Sequence, residues 1–318
     1  MQFFVTGALG KAGSRVTSRY SACGVWVCMM WCAMSLVVSP ARGDTTVERG
    51  RYLFEVAGCK GCHTAEEGAL LAGGRVLETP FGLFVAPNIT PDKVTGIGHW
   101  TLDQFRQALR RGVSPGGEHY YPVFPYTSYT GMGDADVADL WAYLQTVPPV
   151  AQRNPDHQLP WPFRWRFLLL FWKWLFFDQG PWPTEPGRSD AYRRGAYIAR
   201  ALGHCGECHT PRNFLGAMDR TRELAGTVEG PEGGVIPNIT PDPATGIGSW
   251  SSGDLESLLV MGMLPDADFV GAGMGEVVDN STASLSAADR NALIAFLQQL
   301  SPISNNLSRD GQGAVASY

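Results

Sequence analysis

The sequence has few charged residues, no excess of basic ones, and few cysteines outside two short motifs. Charged side chains make up 17% of the 318 residues and the formal net charge is -5. This argues against a nucleic-acid-binding protein, since such proteins are normally basic. Three of the seven cysteines lie in an apolar N-terminal stretch, and the other four belong to the two motifs. Once that stretch is removed, no pair is left for a structural disulfide and no lone thiol for nucleophilic chemistry. Few segments alternate between polar and apolar residues, so the chain is predicted to be all-α.

Each of the two motifs has the form Cys-x-x-Cys-His, the attachment pattern of a c-type haem. They are Cys59-Lys60-Gly61-Cys62-His63 and Cys205-Gly206-Glu207-Cys208-His209. In such a motif both thiols bond to one haem and the adjacent histidine ligates its iron. A zinc half-site would need further ligands nearby, and a redox-active cysteine pair would not need the histidine. The sequence therefore predicts two covalently bound c-type haems, one on Cys59, Cys62 and His63, the other on Cys205, Cys208 and His209.

The N-terminal 43 residues look like a secretory signal peptide. Lys11, Arg15 and Arg19 precede an apolar run at residues 22–38, and small residues suit cleavage after Gly43. An uncleaved membrane anchor is the alternative, because the run approaches the roughly 20 residues that span a bilayer. Either way the rest of the chain is predicted to be exported, to a periplasm.

The remainder of the chain repeats itself, which indicates a duplicated domain. An Arg-Gly-x-Tyr segment precedes each motif, at 49–52 and at 194–197. Asn88 and Asn238 begin the same pentapeptide 150 positions apart (238 minus 88), and Trp100 and Trp250 end a second shared segment at the same offset (250 minus 100). Apolar spacings of three and four predict helices near 47–57, 101–111 and 134–146, then near 192–202, 252–261 and 286–300. We therefore predict two tandem domains at 44–150 and 189–302, an aromatic linker at 151–188 and a flexible tail at 303–318.

Each motif supplies one axial ligand, and electron-transfer cytochromes commonly use methionine as the other. In the second copy Met274 lies in the glycine-rich segment 271–275, which is predicted to be a loop before the closing helix at 286–300, and it is the predicted ligand. The rival methionines of this copy are Met218, Met261 and Met263. We also predict that the carbonyls of Pro87 and Pro237 support the two proximal histidines.

The first copy is less regular at the corresponding place. The offset of 150 puts Phe124 opposite Met274, and phenylalanine cannot bind iron. Met132, eight residues later, is the one methionine between residues 44 and 150, and it is the predicted ligand. The alternatives are His119, His99 or an open sixth position.

The linker contains an aromatic run from Phe163 to Phe177, with Lys173 inside it. This run is too short to span a bilayer unaided. Two interpretations stay open: a helix buried between the domains, or a surface helix that docks on a membrane or a partner subunit.

The pairing of Cys-x-x-Cys-His with Asn-Ile-Thr-Pro-Asp and Thr-Gly-Ile-Gly-x-Trp resembles the class I-type cytochrome c subunits of bacterial membrane-associated dehydrogenases, such as quinoprotein alcohol dehydrogenases. Segments 121–126, 163–177 and 268–278 are similar to that family as well. The resemblance implies class I-like domains, iron ligation by Met274 and a dehydrogenase partner. The chain departs from the family in having two haem motifs rather than three, and in having Phe124 where many relatives have methionine.

Taken together, these features predict a periplasmic dihaem cytochrome, with membrane association through Phe163–Phe177. It would pass single electrons from a dehydrogenase to a downstream cytochrome, quinone or oxidase, and no residue is predicted to be catalytic. The alternative is a dihaem redox enzyme, of peroxidase or thiosulfate-oxidising type, whose first haem is open or unusually ligated.

Overall fold

The structure is a computed structural model that describes residues 42–183, 185–230 and 234–307. The predicted signal peptide falls almost wholly outside these residues. From Arg42 onward the chain forms one compact unit, although the sequence repeat runs through it. We refer to residues 42–150 as the first half and to residues 189–307 as the second half.

The first half is mainly helical, as predicted, with one short hairpin that the sequence analysis missed. Its elements are the helices α1 (Arg42–Val56), α2 (Cys59–His63), α3 (Leu102–Arg111), α4 (Tyr126–Tyr129) and α5 (Asp134–Leu144), and the antiparallel strands β1 (Val76–Thr79) and β2 (Gly82–Val85). Leu83 in β2 also exchanges two backbone hydrogen bonds with Gln158 of the linker, at 2.9 and 2.8 Å. Strands of four residues are too short to produce a clear alternation of polar and apolar residues. The pairing of Leu83 with Gln158 also joins residues far apart in sequence, so no local pattern indicated this hairpin.

The linker and the second half add further helices in an order similar to that of the first half. They are α6 (Leu168–Phe176), α7 (Asp190–Tyr197, continued by a π-helical turn at Ile198–Leu202), α8 (Gly206–His209), α9 (Ser252–Met261), α10 (Ala272–Asn280) and α11 (Ala287–Gln299). The glycine-rich segment 271–275 was expected to be a loop, and this expectation is wrong. Gly271 is the N-cap of α10, and Met274 lies within that helix.

The middle helices α3 and α9 begin and end through the same local interactions. Thr101 and Ser251 each accept a hydrogen bond from the backbone three residues on, and a side chain returns the bond, forming a capping box. At the other end Gly112 and Gly262 adopt φ values of 59° and 70°, in the left-handed region that glycine enters without strain. Both boundaries are therefore set by short-range chemistry.

The repeated Arg-Gly-x-Tyr segments mark the closest helix crossings. Helix α1 packs on α5, and α7 packs on α11. A Cβ on Gly50 would lie 1.9 Å from the carbonyl oxygen of Asp139, and one on Gly195 would lie 2.0 Å from that of Ala292. Only glycine lets these backbones approach so closely. The buried residues around both crossings form one hydrophobic core that includes residues from both halves.

The repeated Asn-Ile-Thr-Pro-Asp segments tie a loop to the chain that follows each closing helix. The side-chain amide of Asn88 donates to the carbonyl of Val150 at 2.7 Å, and that of Asn238 donates to Ile303 at 2.7 Å. Asn305 also donates to the carbonyl of Ala225 at 2.7 Å. Residues 303–305, predicted to begin a flexible tail, are therefore held in place, and residues 308–318 lie outside the described residues.

Helix α6 of the linker lies at the surface and buries only one narrow stripe. Leu169 and Lys173 are buried, one helical turn apart. The Lys173 ammonium donates to the carbonyls of Arg111 and Gly112 at 2.6 and 2.7 Å, which neutralises the negative end of α3. Burial lowers the pKa of Lys173 to about 8. None of the helices in residues 42–183, 185–230 and 234–307 has the length and apolar character needed to cross a membrane.

Candidate haem-attachment sites

Both Cys-x-x-Cys-His motifs fold as single helical turns that present their histidines in the same way. The Nδ1 atom of His63 lies 2.9 Å from the carbonyl oxygen of Pro87, and that of His209 lies 2.8 Å from that of Pro237. The predicted contact of each proline carbonyl with its motif histidine is therefore present. A histidine whose Nδ1–H donates to a carbonyl has Nε2 free to ligate a metal, and the hydrogen bond fixes the ring orientation. Both motifs therefore present a histidine whose Nε2 atom is oriented to ligate an iron.

The four motif cysteines are all free thiols. Burial raises the pKa of Cys59 and of Cys205 to about 12, and that of Cys208 to about 11. Reactive or metal-binding thiolates need the opposite shift. Protonated thiols beside an oriented histidine fit a covalently attached haem, whose vinyl groups they would bind.

Met274 is half-buried on helix α10, two residues before Glu276. The rival methionines lie off this helix: Met263 is half-buried just after α9, and Met218 lies beside the second motif itself. Met261 is 57% exposed at the end of α9, and Met218 lines a cavity of about 260 Å³ beside Gly206 and Thr210. The exposed position of Met261 suits ligation less well than that of Met274.

Met132 occupies the same place in the first half, just before the N-cap of α5, as Leu285 does before the N-cap of α11 in the second half. Its backbone N–H donates to the carbonyl of Tyr129, three residues back, just before α5. Leu285 donates in the same way to Thr282, just before α11. Both side chains are almost fully buried in the shared core. Met132 thus suits packing as well as ligation, and the iron-ligand role stays a prediction.

The alternatives for the first half also have defined positions. Phe124 packs on the core and lies 5.8 Å from Tyr129, measured between ring centroids. His99 is exposed. His119 packs toward the linker, where its carbonyl accepts from Arg166 at 2.9 Å, and its Nδ1 has no partner among the described residues.

The two haem-attachment helices lie close to the boundary between the halves. The rings of Tyr129 and His204 are 5.5 Å apart, and the Tyr129 hydroxyl donates to the carbonyl of Ala57 at 3.3 Å. Ala57 precedes the first motif and His204 precedes the second. Burial, followed by the Cys59 and Cys62 thiols, raises the pKa of Tyr129. Tyr129 therefore lies between the two motifs.

A reciprocal clasp, made of two carboxylates at the starts of α5 and α11, joins the halves. Asp136 accepts from Arg49 of its own half at 2.9 Å and from the Tyr197 hydroxyl of the other half at 2.6 Å. Asp289 accepts from Arg194 of its own half at 2.8 and 2.6 Å and from the Tyr52 hydroxyl at 2.6 Å. The hydrogen bonds from Arg194 lower the pKa of Asp289, and burial opposes them. The tyrosines of the repeated Arg-Gly-x-Tyr segments therefore hold the halves together.

Sequence reasoning missed these cross-contacts, although it identified the repeated Arg-Gly-x-Tyr segments. The repeat showed only that both copies carry this tyrosine. It could not show that each tyrosine donates across the boundary rather than within its own copy, because that depends on how the copies pack.

Comparisons with known proteins find c-type cytochromes similar to this chain. The cytochrome c family model matches residues 47–148. A "Diheme cytochrome c-type" protein of Cereibacter sphaeroides is 46% identical over 262 residues, covering 80% of this chain and 86% of that protein. The fructose dehydrogenase cytochrome subunit of Gluconobacter japonicus is 42% identical, covering 80% of this chain and 52% of that subunit. The cytochrome c subunit of alcohol dehydrogenase (quinone) from Gluconacetobacter polyoxogenes is 35% identical, covering 85% and 59%.

The coverage differs between these relatives. The chain spans most of the dihaem protein but only about half to three-fifths of the two dehydrogenase subunits. Each motif has two cysteines and an oriented histidine, and the dihaem relative is matched over most of its length. The chain belongs to the cytochrome c family, among the relatives of dihaem c-type cytochromes and dehydrogenase cytochrome c subunits.

Proposed function

We propose that this cytochrome carries two haems and passes single electrons from a dehydrogenase to a downstream cytochrome, quinone or oxidase. The observation that carries the proposal is the pair of histidines held by Pro87 and Pro237, each beside two free thiols. When bound, a c-type haem supplies an iron that exchanges one electron. Cys59 and Cys62 would hold one such group, and Cys205 and Cys208 the other.

The chain's own residues would set how each iron behaves. His63 and His209 would ligate through Nε2, because Nδ1 is engaged by a proline carbonyl. Met274 and Met132 are the proposed sixth ligands. A methionine ligand raises the reduction potential and closes the iron to substrates, so it favours electron transfer over bond-making chemistry.

The electron donor that we propose is an exported dehydrogenase. Support comes from the relatives named as cytochrome subunits of fructose, gluconate and alcohol dehydrogenases. The signal-like N-terminal sequence favours a periplasmic location. The donor's substrate is not implied by any of these features, since the relatives serve dehydrogenases of different substrates.

We further propose that the exposed apolar residues of the linker contact a membrane. This aromatic surface consists of Trp161, Phe163, Trp165, Phe167, Leu168, Leu170, Phe171, Trp174 and Leu175, each at least 36% exposed. Contiguous apolar patches of this kind usually mark an interaction site. Tryptophan and phenylalanine beside an exposed arginine, Arg164, are typical of segments that lie in the membrane interface.

A dihaem redox enzyme is the second candidate, and one observation favours it. Phe124 stands opposite Met274 by the repeat offset, and Met132 is equivalent to Leu285 in the fold. If Met132 only packs, the first iron has an open position at which a substrate could bind.

The experiment that tests the proposal combines haem counting with reduction by a partner. We expect two haems per chain by alkaline pyridine spectroscopy, and we expect both to be reduced when a copurified dehydrogenase receives its substrate. C59S/C62S and C205S/C208S should each lose one haem. Peroxide consumption by the reduced protein, with a high-spin first haem, would instead support the enzyme.

A further inference from the structure

Each haem-attachment helix is contacted by a segment of the other half, and that segment carries the other half's candidate iron ligand. Helix α10, with Met274, packs on α2 of the first half. Residues Thr127 and Ser128 of α4, in the segment between Phe124 and Met132, contact α8 of the second half. The same crossed arrangement therefore occurs twice.

An ion pair at the contact between α10 and α2 joins α10 to the segment just before β1. Arg75 forms a two-pronged pair with Glu276, in which Nη2 lies 2.8 Å from Oε2 and Nη1 contacts Oε1. The same Nη1 donates at 2.6 Å to the carbonyl of Gly61, inside the first motif. Both side chains are about one-third exposed. A two-pronged pair of this kind fixes orientation more strictly than a single contact.

Close approach between the two helices reinforces this pair. A Cβ on Gly61 would lie 3.4 Å from Glu276 Oε1 and 3.6 Å from Asn280 Nδ2. One turn further on, the Ser281 hydroxyl donates to the carbonyl of Val56 at 2.6 Å. Helix α10 and the residue that follows it therefore contact the first half at two places, within the first motif at Gly61 and just before the motif at Val56.

The counterpart contact uses a carboxylate within the second motif. Glu207 accepts from the hydroxyls of Thr127 and Ser128 at 2.8 and 2.7 Å, and from Arg212 at 2.5 Å. Burial favours a raised pKa for Glu207, but the attraction of Arg212 and the two hydroxyl hydrogen bonds together lower that pKa. Here hydroxyl groups bind a carboxylate, whereas Arg75 and Glu276 form an ion pair. In both contacts a segment of one half binds beside the haem-attachment helix of the other half.

We propose that Arg75 and Glu276 are positioning residues that hold the Met274-bearing helix on the first haem-attachment helix, so that a residue of the first half controls methionine ligation at the second iron. This inference rests on the proposed role of Met274. Met274 lies two residues from Glu276 on one helix, so loosening that helix frees the thioether to leave. The crossed contacts thereby couple the two haem sites.

The experiment measures displacement of the methionine by imidazole in the oxidised holoprotein. Imidazole competes with the thioether, so its apparent affinity rises with the fraction of protein in which the methionine is detached. We expect R75Q and E276Q each to raise the apparent imidazole affinity of the second iron about fivefold, the size expected for one partly exposed ion pair. The charge-swapped R75E/E276R variant should return it toward the parent value.

Two further variants identify the iron and test specificity. M274A should lose the thioether-to-iron absorption band of the second haem and bind imidazole there without competition. R110Q removes the Arg110–Asp134 pair, which lies wholly within the first half, and should leave imidazole binding unchanged. The positioning role is overturned if R75Q and E276Q both bind imidazole like the parent, if R110Q has the same effect, or if M274A keeps its band.

The result is separable from the proposed function. Haem content and reduction by the dehydrogenase are measured on the same samples. A preparation with two haems and normal reduction, but unaltered imidazole binding in R75Q and E276Q, refutes only the coupling. A preparation with one haem refutes the dihaem assignment itself.

Discussion

At the scale of single residues, the two halves differ most at the far side of their haem-attachment motifs. The proximal side is equivalent in both, down to the proline carbonyl that orients each histidine. The distal side is not, because Met274 lies on a helix while Met132 lies in a core turn equivalent to that of Leu285. Met132, the proposed ligand of the first iron, therefore also has a packing role.

Replacing Met132 with leucine separates these roles. Leucine conserves volume and polarity, so the free energy of unfolding should fall by less than about 1.5 kcal/mol. If Met132 ligates iron, M132L should remove the first haem's share of the thioether-to-iron band, and M274L the second haem's share. The measurement is the red-edge absorption spectrum of the oxidised protein. An unchanged band in M132L, with a high-spin signal already present in the parent, would contradict ligation by Met132.

At the scale of elements, the clasp of Asp136 and Asp289 explains why the halves form one unit. Each carboxylate lies in the first turn of its helix, α5 or α11. It pairs with an arginine from the helix on which that helix packs, and it accepts a tyrosine hydroxyl from the other half. One residue therefore links three helices. Such shared hydrogen bonds make separate unfolding of the halves costly.

The clasp should make stability depend on pH. The pKa of Asp289 is lower in the folded protein than its ordinary value of 3.8, so its ionised form is stabilised by folding. This contribution is fully present above about pH 4 and is lost as pH falls through the lower folded value. D289N should therefore lower the free energy of unfolding by about 2 kcal/mol at pH 7, with the deficit shrinking below pH 4.

Urea denaturation at several pH values measures this difference. Asp279, which is exposed on α10, provides the matched control, and D279N should follow the parent at every pH. A deficit in D289N that stays constant down to pH 2 would show that the Asp289 carboxylate is not the titrating group.

At the scale of the whole molecule, the aromatic surface is the largest feature that the haem sites do not explain. Helix α6 is fixed to the first half by Lys173 and to the second by Trp172, whose indole donates to the carbonyl of Leu215 at 2.9 Å. Leu169 is buried, whereas Leu170, Phe171, Trp174 and Leu175 are exposed. A surface this apolar gains free energy when it leaves water.

Membrane binding should therefore decrease when this surface is made polar. Phe171 and Trp174 are 60% and 81% exposed, so F171S/W174S should fold normally and lose most of its cosedimentation with vesicles of phosphatidylethanolamine and phosphatidylglycerol. Phe269 is 61% exposed on a different element, and F269S should bind vesicles like the parent. Equal binding by all three proteins would exclude α6 as the membrane contact, and retained binding to the dehydrogenase would separate the two partners.

Much of this molecule follows from sequence because the interactions concerned are local. The Cys-x-x-Cys-His spacing identifies a haem-attachment turn, since thiols and histidine on one helical turn need no distant partner. Thr101, Ser251 and the two following glycines, Gly112 and Gly262, set the ends of the middle helices through neighbours only a few residues away. Repetition of these signals predicted a duplicated domain.

Only the tertiary structure decided what depends on how distant segments pack. The segment around Met274 looks like a loop because its glycines have low helix propensity, yet it is a helix supported by α2 of the other half. Met132 could not be distinguished from a core residue until Leu285 was seen in the same turn. The sequence by itself predicted where two haems would attach. Packing across the boundary decided that the two halves share one core, because each half supplies the hydroxyls and charges that the other requires.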